Sequence, residues 1–558
     1  MLDDAWLIAD PSSIPMDSDG FHADVIVIGS GFGGSVSALR LSEKGYKVLV
    51  IERGKHWKAK DFPKSNWNVR KSMWVPSVGF FGILRLSLLD DVMVLSGAGV
   101  GGGSLVYANT LLIPPPPFFR DPQWADMLGD WQEELAPHYR QAQKMLGAVP
   151  NPVFGPADTV LREIADEMGR GATFKATDVG VYFENPGKTV ADPYFGGEGP
   201  TRTGCIQCGA CMTGCKHGAK NTLDKNYLYL ACKKGARVVP EREVVSLQCV
   251  GGPDQRGQQG WDVEVRPAIG LSRIFGPKQT LRARQVVCAA GVMGTLPLLM
   301  HAREIGHLPF LPLTLGSRLR TNSEAITGAM SSGKILSGGT GTDYSKGVAI
   351  TSGAFFDDHT HIEVVRYGEG NDALSLLATL LVDGGGKVPR PLRWLWTCVT
   401  SPRQFARSMW KFGWARGGII LLVMQTLDNS LNAVWKRSRF LPWKKVLRTE
   451  RPAGAPPNPT YIPIGNEVAR RTAKRIGGVP MSAMNEVLLD IPTTAHILGG
   501  CAIGPEGRGV VDAEHRVYGY TGLRVCDGSI VPANLGVNPS LTITALTEHA
   551  MASVPVKT

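Results

Sequence analysis

A chain of 558 residues is longer than one ordinary domain requires, and it can bury a large shared core. Hydrophobic residues at 43% and charged residues at 20% exclude a disordered chain, and 67 glycines call for many tight turns and close backbone approaches. The formal charge of +11 is scattered except in one stretch, so nucleic acid is not expected as a partner.

The N-terminal stretch MLDDAWLIADPSSIPMDSDG is acidic where an export signal needs positive charge and an apolar run, and a cytoplasmic location is expected. No apolar run approaches the roughly 20 residues of a membrane span. From Ala23 to Ile28 a β-branched run ends in glycines and reads as a buried parallel strand. A helix follows through Val36, Leu39 and Leu41 to a stop at Gly45, and Lys47 to Glu52 gives the second strand. Pro114 to Pro117 should break regular structure, and a helix is expected over 126–146. Gln285 to Ala290 reads as a strand that returns the chain to the first sheet, which makes the cofactor domain discontinuous.

Gly29-Ser30-Gly31-Phe32-Gly33-Gly34 is G-x-G-x-x-G directly after a strand and opening a helix, where bare backbone N–H groups can approach a diphosphate. Glu52 ends the second strand at the spacing of an acid that hydrogen-bonds an adenosine ribose, which argues against a 2′-phosphate. FAD and NAD share this fingerprint. A second glycine cluster, Gly97 to Gly103 with Ser104 and then Tyr107-Ala108-Asn109, is long enough to pass beneath a flat ring system, an element that NAD enzymes do not need. Leu523 to Ser529 reads as a strand ending in Asp527-Gly528, suited to a ribityl chain.

Together these motifs resemble the glucose-methanol-choline (GMC) oxidoreductase family over about residues 22–554. Gly97 to Asn109 is similar to its first signature, and His496 through Asp527-Gly528 to Asn538-Pro539 is similar to its C-terminal catalytic region. Leu498 to Cys501, Asp527 to Ser529 and Gly536 to Pro539 look most like its bacterial sterol-oxidising branch. The resemblance implies an α/β fold: a Rossmann-like FAD-binding domain with a substrate domain built on an antiparallel sheet covered by helices. The expected division is 1–125, 226–325 and 486–558 for the FAD domain, 126–225 for a connecting segment with a Cys-rich turn, and 326–485 for the substrate domain. It further implies that Gly29, Gly31, Phe32, Gly33, Gly34, Glu52, Gly97, Gly99, Gly102, Gly103, Ser104, Asn109, Val244, Gly291, Asp527, Gly528, Asn538 and Pro539 hold FAD. His56, near Gly54, is a candidate for covalent flavin attachment.

Oxidising a carbinol requires a group that takes the hydroxyl proton while the hydride leaves toward the flavin, and His496 with Asn538 fits that need. The resemblance implies that His496 orients the hydroxyl and accepts its proton. Asn538 stands where many family members have a second His, whereas an Asn there is typical of the sterol branch. That branch also shifts a Δ5 double bond to Δ4, which needs a carboxylate base, and Glu363 is the candidate; a solvent-facing strand Glu is the alternative. Three functions remain open: a sterol oxidase with isomerase activity, an oxidase or dehydrogenase of another hydrophobic or long-chain alcohol, and a flavin-binding protein without turnover. Oxygen or another acceptor takes the electrons.

Cys205, Cys208, Cys211 and Cys215 have the C-x2-C-x2-C-x3-C spacing of iron–sulfur ligands, but Lys216 replaces the proline that follows the ferredoxin motif. Packed thiols are the default and no metal is assigned. From Lys387 to Arg416 there are seven basic residues and no acidic one, interleaved with Trp394, Trp396, Trp410 and Trp414. That mixture suits peripheral contact with a membrane; the alternative is a helix pair whose aromatics pack inward.

Overall fold

A computed structural model describes residues 4–331, 341–439 and 441–558. Strand β1 (Ala23–Ile28) is buried at every position, as a strand covered on both faces should be. It pairs in parallel with β2 (Val48–Ile51) on one side and with Gln279–Cys288 on the other. Arg237–Val239 extends the sheet beyond β2, and Leu523–Val525 joins Gln279–Cys288 in parallel. Trp261–Pro267 and Arg242–Cys249 add an antiparallel edge, completing a seven-stranded sheet.

Helix α1 (Phe32–Glu43) lies close on this sheet because its first turn lacks side chains that would collide. A Cβ on Gly33 would strike the Cys526 carbonyl, and one on Gly34 would strike that of Gly29. Ser540–Ala552 and Tyr227–Lys233 pack against α1. The expected helix over 126–146 forms as Trp131–Leu146, because Asp130 caps it and Gly147 ends it at φ 59°. Pro114 to Pro117 do leave the preceding structure, but Pro116 and Pro117 then open a short helix, Pro116–Phe119; a fixed φ suits the first helical turn.

A second seven-stranded sheet runs in the order Ala378–Leu380, Gly478–Ala483, Ala325–Ser331, Gly418–Gln425, Thr360–Val365, Ile350–Phe355, Lys175–Ala176. Every pairing in it is antiparallel. The two-residue period of the strands divides its faces. Ile419, Leu421 and Val423, with Ile362 and Val364, join the core formed with helices Pro156–Glu167 and Pro463–Arg475. Ile420 and Leu422, with Val365, face the opposite way and line the cavity between the sheets.

Candidate active site

That cavity measures about 1590 Å³ and is lined from both sheets. A site for one small ligand has roughly 300–1,000 Å³, so a dinucleotide and a substrate can share this one. At one end, Gly31 caps α1 without any side-chain hydrogen bond to the first-turn N–H groups, which leaves them for an anion. A Cβ on Gly31 would meet nothing within 4 Å, whereas Gly29, at φ 101°, presses on Ala289 and Ala290. Gly31 is therefore the open position of the motif. Beside it, Glu52 accepts hydrogen bonds from Ser30 N (3.2 Å), Ser30 Oγ (2.7 Å) and Gly54 N (2.8 Å). A carboxylate has about four acceptor positions, so one remains for a ribose hydroxyl.

Gly29, Gly31, Phe32, Gly33, Glu52, Gly97, Gly102, Gly103, Val244, Gly291, Asp527, Gly528, Asn538 and Pro539 line the cavity with His496. Gly34, Gly99, Ser104, Asn109 and Glu363 are absent from its wall, as is His56. Ser104 acts from behind: its Oγ donates to the Gly101 carbonyl at 2.6 Å and accepts from Leu223 N at 3.1 Å. Asp527 is committed to the protein, since one carboxylate oxygen takes Gly291 N and Thr295 Oγ1 and the other takes Ser529 N and Oγ. It pins two turns of the cradle together rather than presenting a free carboxylate. These features fit FAD: an uncapped helix end for the diphosphate, an acid for the ribose and a glycine-bare floor for the ring.

At the other end of the cradle, His496 lines the cavity with its side chain only 11% exposed. Its Nδ1 faces the carboxylate of the buried Glu324, whose second oxygen accepts from Ala495 N at 2.9 Å. With Nδ1–H directed at Glu324, the neutral ring offers the Nε2 lone pair to the cavity. Burial alone would lower the His496 pKa, but the charges of Glu324 and Glu363 outweigh it and hold it above the usual histidine value. Asn538 donates from Nδ2 to Glu363 Oε2 at 3.2 Å, and its Oδ1 has no partner among the described residues. Glu363 is fully buried on the cavity-facing side of Thr360–Val365, with Asn538 between it and the cavity. The solvent-facing alternative for Glu363 is thereby overturned. Burial pushes its carboxyl up to about 7.

Glu324 and Asn322 escaped sequence reading. The segment Thr321-Asn322-Ser323-Glu324 holds the His496 and Asn538 loops at once. Asn322 Oδ1 accepts from Leu535 N and Gly536 N, and its Nδ2 donates to the Val537 carbonyl, which sets the chain just before Asn538. Thr494 Oγ1 donates to the Thr321 carbonyl at 2.9 Å and accepts from His496 N at 2.9 Å. Asn322 and Ser323 have φ of 58° and 49°, a left-handed pair that turns Glu324 toward His496. An Asn-Ser step ahead of a strand was the available signal.

The four thiols of the Cys-rich turn line a separate cavity of about 20 Å³ with His217 and Lys220, space for about one water. Among the described residues no three His, Cys, Asp or Glu side chains stand as a metal-ligand group. Burial pushes Cys205 up to about 12, whereas the Lys225 charge and backbone N–H groups override burial at Cys215 and lower it. Lys220 Nζ donates to the carbonyls of Leu105, Tyr107 and Cys211, tying this turn to the second glycine cluster.

A diphosphate cradle opening onto a buried His–Asn pair defines a flavin-dependent oxidoreductase acting on CH–OH groups, and FAD is its cofactor. Family models described as GMC oxidoreductase match residues 201–306 and 447–547, and one for an NAD(P)-binding Rossmann-like domain matches 27–59. The chain is 50% identical to a cholesterol oxidase of Mycobacterium tuberculosis over 96% of its own length and 91% of that protein. It is 46% identical to a cholesterol oxidase of Acinetobacter baumannii over 97% and 96% of the two chains. A long-chain-alcohol oxidase of Arabidopsis thaliana is 24% identical over 94% of this chain and 66% of its own. The chain belongs to the GMC oxidoreductase family. Its fold is shared with the crystal structure of pyridoxine 4-oxidase from Mesorbium loti, at TM-score 0.59 and 16% identity over 95% and 98% of the chains.

Proposed function

We propose that the protein oxidises the 3β-hydroxyl of a cholesterol-like sterol to the ketone, with oxygen as the final acceptor. The observation that carries this reading is the placement of His496 and Asn538 on a cavity whose substrate side is walled by Ile326, Ile350, Val365, Ile420, Leu422 and Met481. A rigid apolar body with one hydroxyl suits such a wall and such an end. Identity near half with two cholesterol oxidases supports the sterol. FAD, when bound, supplies the acceptor for the carbinol hydride. His496 Nε2 takes the hydroxyl proton, Glu324 keeps the ring oriented and basic, and Asn538 positions the hydroxyl oxygen. The remaining cofactor contacts assigned above from sequence belong to the same proposal.

The test is an anaerobic absorbance spectrum of the holoenzyme before and after cholesterol is added. Flavin bleaching with a conjugated-ketone band supports the proposal. Bleaching by long-chain alcohols but not sterols would move the substrate to that class, and no bleaching by either would leave a flavin-binding protein.

Glu363 is proposed as the base for the Δ5 to Δ4 shift. A carboxyl near pKa 7 can take and return a proton at neutral pH, but Asn538 must swing aside for it to reach substrate. In Glu363→Gln, ketone formation is expected to stay within roughly tenfold while the conjugated product forms about 100-fold more slowly, the loss typical of a missing general base. Equal slowing of both products would assign Glu363 to holding Asn538 alone.

Peripheral contact with an anionic bilayer is proposed for the helices Arg390–Thr400 and Pro402–Met409. Among the described residues no helix is long and apolar enough to cross a membrane. Leu392, Leu395, Trp396 and Val399 share one exposed face at i, i+3, i+4 and i+7, with Trp396 70% exposed, and Trp410 and Phe412, which follow the second helix, are exposed too. The inward-packed alternative describes Trp394 and Trp414 only. Arg403 and Arg407 have no carboxylate partner among the described residues, which suits anionic headgroups. Lys411 ties this surface to the carbonyls of Ser375 and Ala378, beside the cavity wall. The double variant Trp396→Ser, Phe412→Ser is expected to lose most co-sedimentation with phosphatidylserine vesicles while keeping turnover of detergent-dispersed sterol; unchanged sedimentation would exclude this surface.

A further inference from the structure

Four arginines line the cavity, and two of them have protein acceptors. Arg266 Nη2 meets Glu243 at 2.8 Å, and Arg242 Nη2 donates to the Ala9 carbonyl at 2.8 Å. Arg53 and Arg85 have no hydrogen-bond acceptor among the described residues. Arg53 rests over Trp74 with its guanidinium carbon 5.7 Å from the ring centre. Arg85 feels the charge of Glu243, but that carboxylate is already bound to Arg266. Burial, with the neighbouring Arg53 charge, pushes the Arg85 guanidinium down to about 10. Two like charges confined together without an anion are unfavourable, and an anion bound between them relieves the repulsion.

Their position says which anion. Arg85 lies on the strand Leu84–Leu88 opposite Ser96, and its neighbour Leu84 lies opposite Gly97. The bare Cα of Gly97 sits against Gly102 and Gly103, and that of Gly102 sits against Gly31. Arg53 follows Glu52, which holds the Ser30 N–H. Both arginines line the same cavity as Ser30 and Gly31, at the open end of α1. The first turn of α1 carries no cation, and a helix terminus supplies only about half a unit of positive charge against the double negative charge of a dinucleotide diphosphate. The turn between Leu84–Leu88 and Met93–Gly97 is itself fastened: Arg448 Nε meets Asp90 at 2.7 Å, and Asp91 N donates to Thr449 Oγ1 at 3.0 Å.

We propose that Arg53 and Arg85 bind the FAD diphosphate together with the open end of α1, with Arg85 as a clasp carried on the fastened hairpin. The proposal rests on the assignment of FAD to this cradle.

The test compares FAD retention by wild-type, Arg85→Met, Arg53→Met and Arg85→Lys holoenzymes, using ultrafiltration and the fluorescence of flavin released on dilution. Melting is followed in saturating FAD. Each Met variant is expected to raise the apparent Kd for FAD by about tenfold or more at low salt, the effect of losing a charge-assisted hydrogen bond. Arg85→Lys should recover part of the loss, and the gap from wild type should narrow in high salt. Unchanged retention in both Met variants would overturn the proposal, as would equal loss in Arg85→Lys and Arg85→Met with no salt dependence. If Arg85→Met does not fold even in saturating FAD, Arg53→Met decides alone. A wild-type protein purified without flavin would instead overturn the FAD assignment.

Discussion

His496→Ala is expected to slow anaerobic flavin reduction by cholesterol about 100-fold or more, with FAD content and melting temperature close to wild type. The expectation follows from what the ring does in place. It is the cavity-lining imidazole, nearly buried, with one nitrogen committed to Glu324 and the other left for the substrate. Removing it takes away the proposed proton acceptor while Asn538 and the cradle keep their own supports. An unaltered reduction rate would show that the hydroxyl proton leaves by another route.

Glu324→Gln is expected to cost roughly 10–100-fold in turnover, the usual range for the partner that orients a working histidine. It should also displace the pH profile. The general base works as neutral imidazole, so activity falls as pH drops through the His496 pKa. Burial lowers that pKa, and the Glu324 carboxylate is first among the groups that raise it. Without the carboxylate charge the pKa falls, so the acid limb should move to lower pH even as the plateau drops. A lower plateau with an unmoved limb would reduce Glu324 to a loop support, since its hydrogen bond to Ala495 N would then be its whole contribution.

Much of the frame could be read before the structure because its signals are local. Gly29 to Gly34 makes a strand-to-helix turn from neighbouring residues, and β1, α1 and β2 follow from a run of apolar residues and a stop at Gly45. His496 and Asn538, which the fold brings to one cavity wall, could be singled out because each sits in a motif. Glu324 and Asn322 could not, because their partners lie about 170 and 210 positions away and no periodicity marks a turn whose purpose is tertiary. Burial was equally hidden: Glu363 in a strand with a polar flank could also be read as solvent-facing, and only the fold, which sets Asn538 against it, shows it buried. That the Asp527 carboxylate also pins the Gly291 turn was hidden for the same reason, since Gly291 and Thr295 reach it from more than 230 positions away.

The parallel pairing of Leu523–Val525 with Gln279–Cys288 has a consequence for biosynthesis. The strand that completes the first sheet and the residues Asp527 and Asn538 are synthesised more than 230 residues after Gln279–Cys288. Until then Gln279–Cys288 lacks one neighbour, and the Gly291 turn lacks the carboxylate that pins it. Long-range parallel pairing is slow to form and leaves exposed edges vulnerable to aggregation. The nucleotide cradle therefore stays unfinished on the nascent chain until Leu523–Asp527 has emerged, and tight flavin capture has to wait for that segment, which seals the fold.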